Sequence, residues 1–331
     1  MSSWDQWMGW LRSLFGPAPP VVPPSGEELP ESLRPRVLAI IYNPIIRSEG
    51  GRTLIEVMGW NDVGDLIREY VADLRECSEG FVEFQIVQRM EVDTWPVKAD
   101  GFQYDEASFL QCWRSRSGWH QPDTVDYEAI IADFDLLSRV ESEQIDEVWL
   151  FAFPYAGFYE SLMVGPEAFW CNGPPMPRTD GISRRFVIMG FNYERDVGPM
   201  LESFGHRVES HLKHTWRHWQ GDAERNLWER FRRYDKIAPG KANCGWMHYA
   251  PNSLQDYDWG NPTRVLSNCD DWLTFPNFQG LVREVNCREW GNGDMRAHHK
   301  WWFKHLPEAP GYTRGIANNW WWYGVDPNAV Q

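Results

Sequence analysis

The segment "ESFGHRVES" sets an imidazole between two carboxylates: Glu202, His206 and Glu209, spaced four and three residues apart. At about 100° per residue, that spacing lines all three along one side of a helix. Imidazole and oxygen donors with a position left for water are what a divalent cation takes. Without a metal, the same trio is a general base tuned by its neighbours. The arrangement is not the H-E-x-x-H helix of zinc peptidases, because Glu202 stands four before His206 and Ser203 follows it. The expected cofactor is therefore a divalent ion, zinc first, with Glu202, His206 and Glu209 as ligands or acid–base groups. The competing expectation is a capped helix whose polar residues only bond neighbouring loops.

The elements around this trio bear on where it sits. Pro199 suits a first helical turn, and Leu201, Phe204, Val208, Leu212, Trp216 and Trp219 recur as one apolar stripe. His211, His214 and His218 fall opposite and are expected to face water. Upstream, "RVLAIIYNPII", "FVEFQIVQRMEVD", "DEVWLFAFPY" and "RRFVIMGFNYE" read as strands. "NDVGDLIREYVADLREC" and "DYEAIIADFDLLSRV" between them read as helices, the first capped by Asn61 or Asp62. Strands alternating with helices predict an α/β fold with a mostly parallel sheet and flanking helices. Ligands of such sheets collect beyond the carboxyl ends of the strands. Those ends carry Asn43, Asp93, Tyr155 and the run Asn192, Tyr193, Glu194, and the helix of His206 begins directly after. Glu160 follows the third strand, so Glu160 and Glu194 join the catalytic candidates.

From about Lys241 the chain becomes loop-rich and tryptophan-rich, as a subdomain packed on the core. The 21 tryptophans fill cores, and they also stack on sugars. Tyr155, Tyr193, His248, Asp271, His299, Asn319 and Trp320 are accordingly expected to contact a polar or glycan ligand. Of the neighbours His298 and His299, at most one can share a site. Cys171 could act as a nucleophile only beside a histidine; a buried structural thiol is the simpler expectation. None of the six cysteines forms a C-x-x-C pair, which removes a zinc ribbon, and a Cys269–Cys287 bridge is allowed by position.

Formal net charge is −15, from 47 acidic and 32 basic residues, and the short "ERFRRYDK" run reads as an exposed helix face. Nucleic acid is therefore not an expected partner. No apolar run approaches a membrane span, and "MSSWDQWMGWLRSLFG" lacks the form of a secretory signal. Trp4, Trp7, Leu11, Leu14 and Phe15 recur at helical spacing, predicting an amphipathic helix over 1–16 on a proline-rich linker over 17–35. Its face over 4–15 could dock on a protein partner. The rest divides into an α/β core over 36–240 and the tryptophan-rich part over 241–331.

The segments "DEVWLFAFPYAGFYES", "RRFVIMGFNYER", "FGHRVES", "SNCDDWL", "HHKWWFKHLP" and "NNWWWYGVDPN" together resemble an uncharacterised family of tryptophan-rich, often secreted bacterial and fungal proteins. That resemblance implies that the α/β core and the tryptophan-rich region belong together, and it points to an extracellular location, whereas the missing secretory signal points to the cytoplasm. It implies no activity. Read from the residues themselves, the expected function is that of a hydrolase, metal-dependent if the trio holds an ion, acting on a carbohydrate or similar polar polymer. The alternative is a non-catalytic glycan-binding or scaffold protein recruited through the N-terminal helix.

Overall fold

The computed structural model describes residues 29–217 and 226–330. The expected N-terminal helix, most of the proline-rich linker, His218 and Trp219 lie outside the described residues. Six strands make the central sheet: β1 (Arg36–Tyr42), β2 (Gln85–Val92), β3 (Glu147–Ala152), β4 (Ser161–Gly165), β5 (Met176–Pro177) and β6 (Phe186–Asn192). Their spatial order is β2-β1-β3-β6-β4-β5. The first four in that order run parallel, and β4 pairs antiparallel with β6. The fold is thus α/β with a mostly parallel sheet.

Side-chain chemistry sorts the strands. β1 and β3 are almost unbroken apolar runs, and every residue from Val37 to Tyr42 and from Glu147 to Ala152 is buried, as strands covered on both faces require. β2 alternates polar with half-buried residues and takes an edge. β4, "SLMVG", lies in a stretch that reads as loop between Pro and Gly clusters, yet all five of its residues are buried.

The helices are α1 (Val63–Cys77), α2 (Glu106–Ser115), α3 (Tyr127–Asp133), α4 (Leu136–Glu141), α5 (Val197–Thr215), α6 (Leu227–Phe231), α7 (Met295–Phe303) and α8 (Trp320–Val325), with a further single turn over Leu54–Met58. Asp62, not Asn61, caps α1 by accepting the Asp65 N–H at 3.0 Å. The helix expected over "DYEAIIADFDLLSRV" is broken in two, because Asp135 adopts a left-handed φ of 50°. α5 packs against α1, α7 and α8.

On α5 the stripe Leu201, Phe204, Val208, Leu212 and Trp216 is buried as expected, but the buried arc is wider. His211, expected to face water, is sealed under α8, its Nδ1 2.7 Å from the Tyr323 carbonyl. His214 is half-buried with its ring stacked on Phe169, centroids 4.0 Å apart. Arg207, beside the stripe, pairs with Glu147 of β3 at 2.7 Å and donates to the Val325 carbonyl at 2.5 Å. Both charges are buried, so this pair ties helix, sheet and C-terminus together.

Trp272, Trp290, Trp302, Trp320 and Trp321 are buried in one hydrophobic cluster continuous with the sheet. All six cysteines are free and buried, so the bridge allowed between Cys269 and Cys287 is not formed. The "ERFRR" charges are partly paired: Arg232 with Glu229 at 2.8 Å and Arg230 with Asp271 at 3.3 Å. No helix among the described residues is long and apolar enough to cross a membrane.

Candidate metal centre

α5 begins where β6 ends. Asp196 caps it by accepting the Gly198 N–H at 2.9 Å, and Glu202 and His206 follow in its first three turns. The centre lies beside the carboxyl ends of β3 and β6. A cleft there, with a volume of about 230 Å³, is bordered by Tyr155, Glu160, Asn192, Arg195 and Ser203. On the other side His206 and Glu209 border a second cleft of about 480 Å³, with Trp170, Trp228 and Trp246 among its walls.

The third ring comes from far along the chain. His248 sits in a tight turn closed by Trp246 and Tyr249, which exchange backbone hydrogen bonds at 2.9 Å. Two contacts fix this turn, one from α7 and one from α5. The Trp302 indole donates to the Gly245 carbonyl at 3.0 Å. Gly205, one turn position before His206, has no side chain where Met247 packs: a Cβ would stand 1.9 Å from the Met247 sulfur. Only glycine allows so close an approach of turn and helix.

Three donor atoms converge as a result. His248 Nε2 is 2.8 Å from Glu202 Oε1 and 3.0 Å from His206 Nε2, and His206 Nε2 is 3.8 Å from Glu202 Oε1. Ligand bonds of about 2.0–2.1 Å in tetrahedral array put neighbouring donors about 3.3 Å apart. The three separations bracket that value. Two imidazole nitrogens facing each other beside a carboxylate need either a shared proton or a cation between them.

Glu209 does not join this triad. Its Oε2 is 2.9 Å from the other nitrogen of His206, Nδ1, and its Oε1 accepts the Met247 N–H at 2.8 Å. It therefore orients the ring from behind and holds the proton on Nδ1, leaving Nε2 to face Glu202 and His248. Of the expected set Glu202, His206, Glu209, the structure groups Glu202 and His206 with His248 as the candidate donors, and Glu209 orients the His206 ring instead.

The electrostatics of the centre follow from the same contacts. Burial would lower the His206 pKa, but the bonds to Glu202 and Glu209 outweigh it and raise it to about 10. Burial pushes the Glu202 carboxyl up, and the bonds to His206 and His248 bring it well below the usual range. Glu160 is raised by burial, against the pull of the His206 charge. Its Oε2 accepts from the Asn172 amide. Gly190 of β6 places it, since a Cβ there would meet the Tyr159 carbonyl at 2.3 Å and displace the segment carrying Glu160.

The remaining candidates separate clearly. Tyr155 is exposed, stacked on Trp119 with centroids 3.9 Å apart. Glu194 is exposed on the turn before α5. Tyr193, Asp271, His299, Asn319 and Trp320 were expected at a ligand and instead lie buried in the fold. Tyr193 donates to the Tyr42 carbonyl at 3.0 Å. Asp271 accepts the N–H groups of Gln279 and Gly280 at 2.7 and 3.0 Å. His299 lies against the Gly198 carbonyl, and burial lowers its pKa to about 4. Asn319 caps α8, and Trp320 is wholly buried. Cys171 does meet a histidine, His211, at 3.5 Å, but both are sealed from solvent and burial raises the thiol to about 11. It is structural.

One more group of donors converges among the described residues: Cys269, Asp270 and His305. There Arg283 grips Asp270 through two nitrogens at 2.5 and 3.0 Å, and burial raises the Cys269 thiol to about 11. A neutralised carboxylate and a protonated thiol make that group a poor cation site. Tyr257, whose hydroxyl is 3.2 Å from His248 Nε2, was not anticipated, and no spacing in the sequence connects it to α5. No known protein family, curated protein or solved structure matches the chain.

Proposed function

We propose that the chain is a metal-dependent hydrolase with Glu202, His206 and His248 as the ligands of a divalent cation, zinc first. One observation carries this reading: three donor atoms from α5 and a remote turn meet at ligand spacing, with a carboxylate fixed behind one ring. Two imidazoles and one carboxylate are a donor set of hydrolytic zinc, with a position left for water or substrate. Bound there, such an ion polarises a carbonyl and makes water nucleophilic near neutral pH.

The protein's own groups supply the rest. In this reading Glu160, whose carboxyl responds to the charges of His206, Glu202 and His248, takes a proton from water and passes it to the leaving group. Glu209 holds His206 in one tautomer throughout. Polarising a carbonyl suits an amide or ester bond, and the cleft walled by Trp170, Trp228 and Trp246 suits a polar polymer carrying one, glycans included. The same two-histidine, one-carboxylate set holds iron(II) in oxygenases; a further half-buried carboxyl, Glu160, favours the hydrolytic reading as a general base. The tryptophan-rich C-terminal part, in this reading, is the scaffold that holds the His248 turn rather than a sugar platform.

The test uses zinc-loaded protein, a chromogenic ester and a peptide anilide. Turnover of either that is lost in Glu160→Gln, with zinc retained, supports the reading. Turnover unchanged in Glu160→Gln, or a zinc-loaded protein inert to both, overturns the assignment of roles.

A further inference from the structure

The hydroxyl of Tyr257 reaches the same point in space as the triad. It lies 3.2 Å from His248 Nε2, the separation expected of neighbouring ligands in a tetrahedral site, about 3.3 Å. Its ring packs on the His248 ring with centroids 4.4 Å apart, and edge-on to Trp259 at 5.2 Å. Its N–H donates to the His248 carbonyl at 3.0 Å, so backbone and side chain both follow His248.

Two further features single it out. Its φ is +60°, a left-handed conformation that a bulky aromatic residue adopts only when the surroundings impose it. Here the surroundings are a short loop closed by Ala250 N–H to Ser253 Oγ at 2.9 Å and Leu254 N–H to Asp258 Oδ2 at 2.9 Å. The residue is also 52% exposed, so the strain aims a half-solvated phenol at a partly buried polar cluster. Its hydroxyl meets the nitrogen that a cation would take, with the Glu202 carboxylate as a second hydrogen-bond partner.

We infer that Tyr257 is a fourth, displaceable ligand of the centre. This rests on the reading of Glu202, His206 and His248 as metal ligands. As the metal–oxygen bond forms, the phenol O–H bond breaks and the proton leaves to solvent, with no change of oxidation state. Exposure on a loop allows an incoming oxygen ligand to push the side chain aside, returning a proton to it. A hydrolytic centre then rests closed by tyrosine and opens when substrate binds.

Copper(II) reads this directly, because it binds nitrogen and oxygen sites most tightly of the divalent first-row ions and a phenolate ligand gives it an intense visible charge-transfer absorption. The full chain loaded with copper should show that band. Tyr257→Phe should lose it while still binding one copper per chain, and acetohydroxamate added to the wild type should bleach it. A copper-loaded wild type without the band overturns the inference and leaves the metal reading intact. So does a band that survives in Tyr257→Phe. A band that persists with acetohydroxamate bound overturns displacement. A wild type that binds neither copper nor zinc overturns the metal reading itself, a result distinct from all of these. The wild-type spectrum decides the matter even if the variant folds poorly.

Discussion

Replacing Glu209 by glutamine is the most informative small change in this protein. The carboxylate uses both oxygens as acceptors: Oε2 for the His206 Nδ1 proton at 2.9 Å and Oε1 for the Met247 N–H at 2.8 Å. Glutamine has the same shape but only one acceptor. If its oxygen faces Met247, its NH2 faces His206 and needs a lone pair on Nδ1, which moves the ring proton to Nε2, the nitrogen proposed to bind the metal. If its oxygen faces His206, two donors oppose each other at Met247. Either arrangement costs a part-buried charge-assisted hydrogen bond, about 1.5–3 kcal/mol. Loss of an outer-shell partner typically weakens metal binding by about 10–100-fold, the same range at about 1.4 kcal/mol per tenfold. Zinc affinity is measured at fixed pH by competition with a chromophoric chelator, with Glu194→Gln, an exposed carboxylate on the turn before α5, as control. Glu209→Gln should weaken zinc by about 10–100-fold and the control not at all. A folded Glu209→Gln protein binding zinc as tightly as the wild type would refute the orienting role.

Three further outcomes follow from the packing and the buried charges. Gly205→Ala puts a methyl against the Met247 sulfur and should shift the His248 turn, weakening zinc by about tenfold or more while circular dichroism stays native. Unchanged zinc affinity would show that the turn is placed by Trp302 alone. Glu147→Gln leaves Arg207 buried without its counter-charge and should cost about 3–5 kcal/mol in chemical denaturation, whereas a loss below about 1 kcal/mol would mean that the pair is dispensable. His211 is held neutral, its pKa lowered to about 3 chiefly by burial. The unfolded chain, titrating near 6.5, binds more protons between those values, so this contribution to stability is full above about pH 6.5 and is lost as pH falls. Unfolding free energy should drop with a slope approaching about 1.4 kcal/mol per pH unit from this group, and the slope should be shallower by that amount in His211→Gln. Equal slopes would contradict a neutral buried imidazole.

Much of this architecture is legible in the residues, and the gaps have physical causes. The parallel sheet shows as unbroken apolar runs, which only strands covered on both faces carry. β4 escapes because five residues cannot establish a period and glycines flank it. On α5, helical spacing finds Glu202 and His206 at the edge of the apolar stripe, but spacing cannot say which ring nitrogen a neighbour meets, so Glu209 reads as a ligand. His248 is invisible from α5, since a contact made through Gly205, Met247 and a turn has no period. His211 reads as solvated because nothing in its own segment reveals that α8 will cover it. Trp320 and Asn319 look like a sugar platform for the opposite reason: aromatic and amide side chains have the same composition in a core and a cap as at a binding site.

The central claim is that a cation binds between α5 and the His248 turn, and metal content after purification tests it most directly. Wild-type protein dialysed against zinc, then freed of excess, should retain one zinc per chain, and His248→Ala should retain none while keeping its circular dichroism spectrum. Wild-type protein without zinc, or a His248→Ala variant that holds zinc as tightly as the wild type, would contradict the account.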